Sequence, residues 1–217
     1  MAFEVQTASS GDSLSLTETF FSTFSDDFNR TMFPVNPEVR AFLANTILEV
    51  NSEHQHEILL KVTDPSNADV VAAFAKWILP IMSADLAAGA GADADQDRHE
   101  HPAAQAMNWP ASSDAKLCDM FFGTMEKHHE ELMEGRPHYY LEILGVHPSY
   151  QGRGLASKLL KWGLARADEE GVEVYLSSSP EGKPLYEKNG FEETKYPGRF
   201  SPWPGYEQVD MIRPPQQ

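Results

Sequence analysis

An α/β fold is the architecture this sequence predicts, and three observations lead to it. Residues 139–191 alternate strand, helix, strand, short helix and strand, the rhythm of an α/β unit. Ahead of them lie two segments of helical period, then two β-rich runs joined by the turn Asp64-Pro65-Ser66-Asn67. The 217 residues, 41% of them hydrophobic and 11% aromatic, supply the apolar material for a core of large-domain size. Residues 1–217 are therefore expected to form a single domain.

Taken in order, residues 3–6 predict a short strand. The Ser/Gly/Asp cluster 9–12 then provides capping residues ahead of Leu14, Leu16, Phe20, Phe21 and Phe24, so a first helix is expected over 13–25. After the breaks at Pro34 and Pro37, Val39, Phe42, Leu43, Ile47 and Val50 recur at helical spacing and predict a second helix. Residues 58–63 and 70–79 read as antiparallel strands. Composition then shifts to Ala, Gly, Asp, Gln and Pro over 83–113, a stretch with almost no large aliphatic side chains to bury and read as a flexible excursion. A long amphipathic helix follows over 114–134, carrying Leu117, Met120, Phe121, Met125 and Leu132 and ending at Gly135 before Pro137. Its acidic part, Glu126 to Glu134, reads as a solvated face. Strands are expected over 139–146, 172–177, near Phe191 and over 206–212, with helices over 154–169 and 183–188.

Seventeen Lys and Arg against thirty-three Asp and Glu leave a formal charge of −16, which repels phosphate backbones and argues against nucleic acid as a partner. A single cysteine, Cys118, cannot form an internal disulfide and fits a reducing compartment. No stretch approaches the roughly 20 apolar residues of a membrane span. The start, Met-Ala-Phe-Glu-Val-Gln, lacks the basic and apolar regions of a signal peptide, so no membrane association and a cytoplasmic location are expected. The eight histidines, including the pairs His54/His56, His99/His101 and His128/His129, lack the helical spacing of a zinc site. Solvated histidines and no metal are the expectation.

The chemistry-bearing run is Leu144-Gly145-Val146-His147-Pro148-Ser149-Tyr150-Gln151-Gly152-Arg153-Gly154-Leu155-Ala156, set between a strand and an amphipathic helix. Glycines here let the backbone turn tightly and expose successive N–H groups at a helix N-terminus, where unpaired donors and the helix dipole favour a phosphate anion. Downstream comes Lys183-Pro184-Leu185-Tyr186-Glu187-Lys188-Asn189-Gly190-Phe191. The pattern Gln/Arg-x-x-Gly-x-Gly/Ala after such a strand, with this second segment, closely resembles the GNAT superfamily of acyl-CoA-dependent N-acetyltransferases. Residues 139–191 carry the resemblance, and against the family's minimal pattern 83–113 looks like an insertion.

The resemblance implies a mixed, mostly antiparallel twisted sheet flanked by helices and splayed between the Leu144 and Val172 strands, with acetyl-CoA as cosubstrate in the gap. It implies that Gln151, Gly152, Arg153, Gly154, Leu155 and Ala156 hold the CoA pyrophosphate, and that Leu144, Gly145 and Val146 pair with the pantetheine arm. An N–H near Val146 would polarise the thioester carbonyl. Ser179 stands where many members carry Asn in contact with CoA. Tyr186 takes the position of the family's tyrosine beside the CoA sulfur, a candidate general acid whose alternative is packing with Phe191. Glu142, two residues before Leu144, is the candidate base, or else a carboxylate that binds the cationic acceptor, and it shares the Leu144 face unless a bulge intervenes. Tyr140, Phe28 and Phe33 are candidates for the acceptor pocket, the two phenylalanines equally candidates for core. The expected activity is transfer of acetyl from acetyl-CoA to a primary amine of a small molecule by direct attack in a ternary complex, in a monomer or homodimer. The alternatives are a protein or peptide N-acetyltransferase and a noncatalytic acyl-CoA sensor.

Overall fold

The computed structural model describes residues 2–50, 56–82 and 107–216. The chain order is β1 (Val5–Thr7), α1 (Ser13–Thr23), α2 (Asp27–Met32), α3 (Pro37–Asn45), β2 (Glu57–Asp64), β3 (Asn67–Ile78) and α4 (Ala115–Met133). It continues with β4 (His138–Val146), α5 (Leu155–Glu170), β5 (Glu173–Ser178), α6 (Lys183–Lys188), β6 (Glu192–Glu193), β7 (Arg199–Trp203) and β8 (Tyr206–Arg213). The strands form one sheet in the order β1-β2-β3-β4-β5-β8-β6, with β7 also paired to β8. Among the described residues only β4 and β5 pair in parallel. The expected mixed, mostly antiparallel sheet flanked by helices is what the chain forms.

Two elements were not anticipated. Helix α2 is too short to show a helical repeat, but Asp26 caps it by accepting the Asn29 N–H at 3.0 Å, and Phe28 and Met32 lie one turn apart on its buried side. Strand β7 carries Pro202, which weakens its strand signal, and sits off the main path of the sheet against β8.

Side chains of opposite parity face two cores. Trp77, Tyr139, Leu141, Val174, Leu176 and Met211 pack beneath Leu155, Leu159, Leu160 and Leu164 of α5. On the other face Leu59, Val71 and Phe74 meet Leu16, Phe20, Phe28, Leu43, Phe121 and Met125 from α1 to α4. Burying each such side chain contributes on the order of 1.5–3 kcal/mol, so both helical layers are held mainly by apolar contact.

The segment 83–113 divides. Residues 83–106 lie outside the described residues, but 107–113 are anchored. Trp109 stacks on Phe122 at 5.4 Å and donates its Nε1–H to Asp119, while the Ala111 N–H and the Ser112 hydroxyl bond Glu38. One large aromatic, with these hydrogen bonds, pins a stretch that is otherwise poor in apolar side chains.

The acidic part of α4 corrects the sequence expectation. Glu126, His128 and His129 are buried, as is His138 on β4. The His128 Nδ1 lies 2.6 Å from Asp210, which also accepts the Tyr175 hydroxyl at 2.9 Å. His129 stacks on Tyr175, and its Nε2 is 2.7 Å from that of His138. These histidines are buried because polar partners on β4, β5 and β8 meet the helix there, a condition that the sequence spacing does not display. His54, His99 and His101 lie outside the described residues.

Candidate active site

Strands β4 and β5 pair only through His138–Glu173, Tyr139–Val174 and Tyr140–Tyr175, and then diverge. The remainder of β4 keeps β3 on one side and has an open edge on the other. Val146 and Leu144 are directly opposite Ala73 and Ala75 of β3, and the His147 N–H donates to Ala72 on that strand at 3.0 Å. Because alternate N–H groups of a strand point to opposite edges, those of Leu144 and Val146 point into the gap. Gly145 faces away from it: a Cβ there would come within 2.7 Å of the Phe74 ring, so glycine is required by close packing. Its neighbours, not its own side, carry the open edge.

Beyond β4 the chain turns into α5 through Gly152 and Gly154, both in the left-handed region at φ +74° and +75°. A Cβ at either would meet nothing within 4 Å, so backbone conformation rather than crowding calls for glycine. With Gly154 as N-cap and no side chain bonding the first turn, the N–H groups of α5 face the groove.

That groove, about 580 Å³, is lined by Leu144, Val146, Gln151, Gly152, Gly154, Leu155, Ala156 and Ser179 among the expected residues. Arg153 is not in the lining; its guanidinium lies over the rings of Phe3 and Tyr150 at 5.7 and 5.3 Å. Tyr150 does line the groove and donates its hydroxyl to Asp64 at 2.6 Å. The Ser66 hydroxyl first, then the Tyr150 hydroxyl and the Ser66 N–H, hold the Asp64 carboxyl down to about 2.

An inner pocket of about 130 Å³ continues from the groove, and the two meet at Phe24, Asn29, Leu144, Ser179, Tyr186 and Tyr206. Tyr186 is buried, its ring edge-on to Phe191 at 5.7 Å, and burial alone pushes its phenol well above the ordinary value of 10.0. The hydroxyl is therefore a proton donor throughout the physiological range. Farther in, Phe20, Phe33, Phe121, Phe122, Met32 and Ile47 make an apolar wall. Glu142 is the carboxylate of that pocket.

Glu142 reaches the pocket through a bulge. Lys76 pairs with Ile143 and Trp77 with Leu141, so Glu142 is the extra residue on β4. Tyr139 and Leu141 pack toward α5, and so does Leu144, a three-residue step where simple alternation allows two. The bulge also explains Tyr140. It lies buried against His129 and Tyr175 rather than in the pocket lining, in the narrow end where β4 and β5 still pair. Phe28 is likewise core, packed on Phe121 and Tyr206 behind the lining, whereas Phe33 does line the pocket.

Sequence reasoning missed Phe24 and Asp26 between α1 and α2, Asn29 on α2, and Tyr206 and Gln208 from β8, because these segments meet the motif only in three dimensions. It also missed Lys76. A lone lysine inside the apolar run 70–79 was the available signal, since a buried lysine needs a paired charge.

Residues 112–193 match the family model described as an acetyltransferase (GNAT) domain. That stretch of the chain is similar to GNAT acetyltransferases, and the likeness of fold to solved acetyltransferase structures extends over the whole chain. A Corynebacterium glutamicum structure described as a histone acetyltransferase and related acetyltransferase is 19% identical, covers 100% of this chain and 98% of its own, and has a TM-score of 0.61. Arylalkylamine N-acetyltransferase 2 from Aedes aegypti is 14% identical over 100% of both chains, with a TM-score of 0.60. The PaiA N-acetyltransferase from Thermoplasma acidophilum, in complex with coenzyme A, is 14% identical over 99% of both chains, with a TM-score of 0.53. At these identities the structural likeness speaks for the fold. Among the described residues no helix is long and apolar enough to cross a membrane, and no three His, Cys, Asp or Glu side chains gather as a metal site.

Proposed function

We propose that this GNAT domain transfers acetyl from acetyl-CoA to the primary amine of a small molecule with a compact apolar or aromatic body. The supporting observation is the junction of groove and inner pocket at Leu144, Ser179 and Tyr186, with Glu142 on the pocket wall. A groove ending in glycine-turned N–H groups suits a pyrophosphate, and the open β4 edge suits an amide-bearing pantetheine arm. An inner pocket walled by phenylalanines, with a carboxylate in it, suits an apolar body carrying an ammonium group. The reading takes residues 1–217 as a single domain, since α1, α2 and α4 wall the pocket that the C-terminal half completes.

In the ternary complex Glu142 binds the ammonium and takes up its proton, either directly or through water. The freed nitrogen attacks the thioester carbon, and the N–H groups of Leu144 and Val146 are aimed at the gap in which the oxyanion forms. The C–S bond then breaks and the thiolate takes the Tyr186 proton. Cys118 plays no part. It is buried and its thiol is pushed up to about 12, chiefly by burial, so a thiolate nucleophile is unavailable.

The test is release of CoA thiol from acetyl-CoA across small amines of graded apolar size, alongside lysine-bearing and N-terminal peptides. Release with aryl- or alkylamines and none with peptides is expected. Release with peptides alone replaces the acceptor class, and binding of acetyl-CoA with no release on any acceptor favours a noncatalytic sensor.

A further inference from the structure

Lys76 lies on β3, on the sheet face covered by α1 to α4, with its side chain only 4% exposed. Its Nζ is 3.1 Å from Oε2 of Glu142 and 3.1 Å from Oε2 of Glu57 on β2. Burial acts to lower the ammonium's pKa, but the charges and hydrogen bonds of Glu142 and Glu57 outweigh it, and the net shift is upward from 10.5. The group is a fixed cation.

We propose that Lys76 is a positioning residue, which holds Glu142 ionised and aimed along the wall of the acceptor pocket. The proposal rests on the reading of Glu142 as the acceptor-facing group. Three features carry it. Glu142 is the bulged residue of β4, so the ladder alone does not dictate where its carboxylate points, and Lys76 stands opposite the bulge, in register with Ile143. Two carboxylates brought toward one buried point would repel and one would take up a proton, unless a cation stood between them. With the cation in place the trio keeps one net negative charge, the charge that a monocationic amine neutralises on binding.

The other titratable groups around Glu142 do not supply this. Among the described residues these are Tyr140 on its own strand, Glu126 from α4 and Asp210 from β8 beyond it, His129 packed at a tilt on Tyr140, and Tyr186 across the pocket from α6. Tyr140, Glu126 and Asp210 are neutral or acidic, whereas Lys76 is a cation in direct contact with Glu142.

The experiment follows the side-chain carboxyl of Glu142 by carbon-13 NMR in the full chain labelled at glutamate, the resonance being assigned by its loss in Glu142→Gln. In Lys76→Met the titration midpoint should rise by about one pH unit or more. Lys76→Arg should titrate like the wild type. Glu57→Gln, which leaves Lys76 to Glu142 alone, should move the midpoint the other way, and it serves if Lys76→Met fails to fold. The acidic limb of the kcat/KM profile should follow the same shifts, with Lys76→Met recovering turnover at higher pH. An unmoved midpoint in both Lys76→Met and Glu57→Gln, or an activity loss equal at every pH, overturns the proposal. Wild-type turnover in Glu142→Gln instead overturns the role of Glu142, whatever the titration shows.

Discussion

In the proposed reaction Tyr186 has two functions that a single substitution separates. Its ring packs on Phe191, and the residue lines both the groove and the inner pocket. In Tyr186→Phe the ring contacts remain and only the proton donor goes, so thermal stability should be close to wild type. The kcat should fall by about 10²-fold, the lower end of what a positioned general acid contributes, while the KM for acetyl-CoA stays near its wild-type value. Because burial raises the phenol's pKa, this donor is protonated on both sides of neutrality, and neither limb of the wild-type pH profile should vanish in the variant. Steady-state kinetics over pH check all three statements. Unchanged kcat would return Tyr186 to a packing role.

The elements of the site depend on how β8 and α5 are tied together. Arg213 at the end of β8 is 3% exposed and forms a two-pronged pair with Asp168 of α5, both bonds at 2.8 Å. The Arg213 contact, opposed by partial burial and aided by the Gln216 N–H, lowers the Asp168 carboxyl below its ordinary 3.8. A carboxylate with a depressed folded-state pKa adds stability that is complete above 3.8 and is lost as pH falls through the lower folded value. Asp168→Asn should therefore cost about 1–2 kcal/mol near neutral pH, part of the pair being open to solvent, and the cost should shrink as pH falls below 3.8 through the lower folded value. Urea unfolding at several pH values measures it, and a penalty that persists in acid would assign the effect to packing. How much of this level was legible follows from range along the chain. The glycine turn, the α5 stripe, the short α6 and Tyr186 lie in one continuous segment and carry their own local signals. The bulge at Glu142 does not, since a one-residue register shift depends on β3 across the ladder. Asn29, Tyr206 and the buried His128–Asp210 pair depend on segments far apart in sequence, so no local periodicity reports them. Lys76 was half legible: the sequence shows a lysine in an apolar run, but not which carboxylates meet it.

At the scale of the whole molecule, the charge of −16 acts in opposite senses on the two substrates of the proposed reaction. A cationic amine is drawn toward an acidic protein, and the rate of encounter falls as salt screens the field. Acetyl-CoA, a polyanion, is repelled except where local N–H groups and the helix N-terminus receive it, and salt relieves that repulsion. The screening length drops from about 10 Å at 0.1 M to about 3 Å at 1 M, so the long-range part of both effects is removed within an accessible range. Between about 0.05 and 0.5 M sodium chloride, kcat/KM for a monocationic amine should fall several-fold while the KM for acetyl-CoA falls or holds steady. The contact between the ammonium and Glu142, enclosed by aromatic walls, is screened far less, so saturating kcat should change little. A kcat that falls in parallel with kcat/KM would mean that salt acts on the assembled site. An acceptor dependence rising with salt would mean that the amine arrives uncharged, or on a carrier that the acidic surface repels.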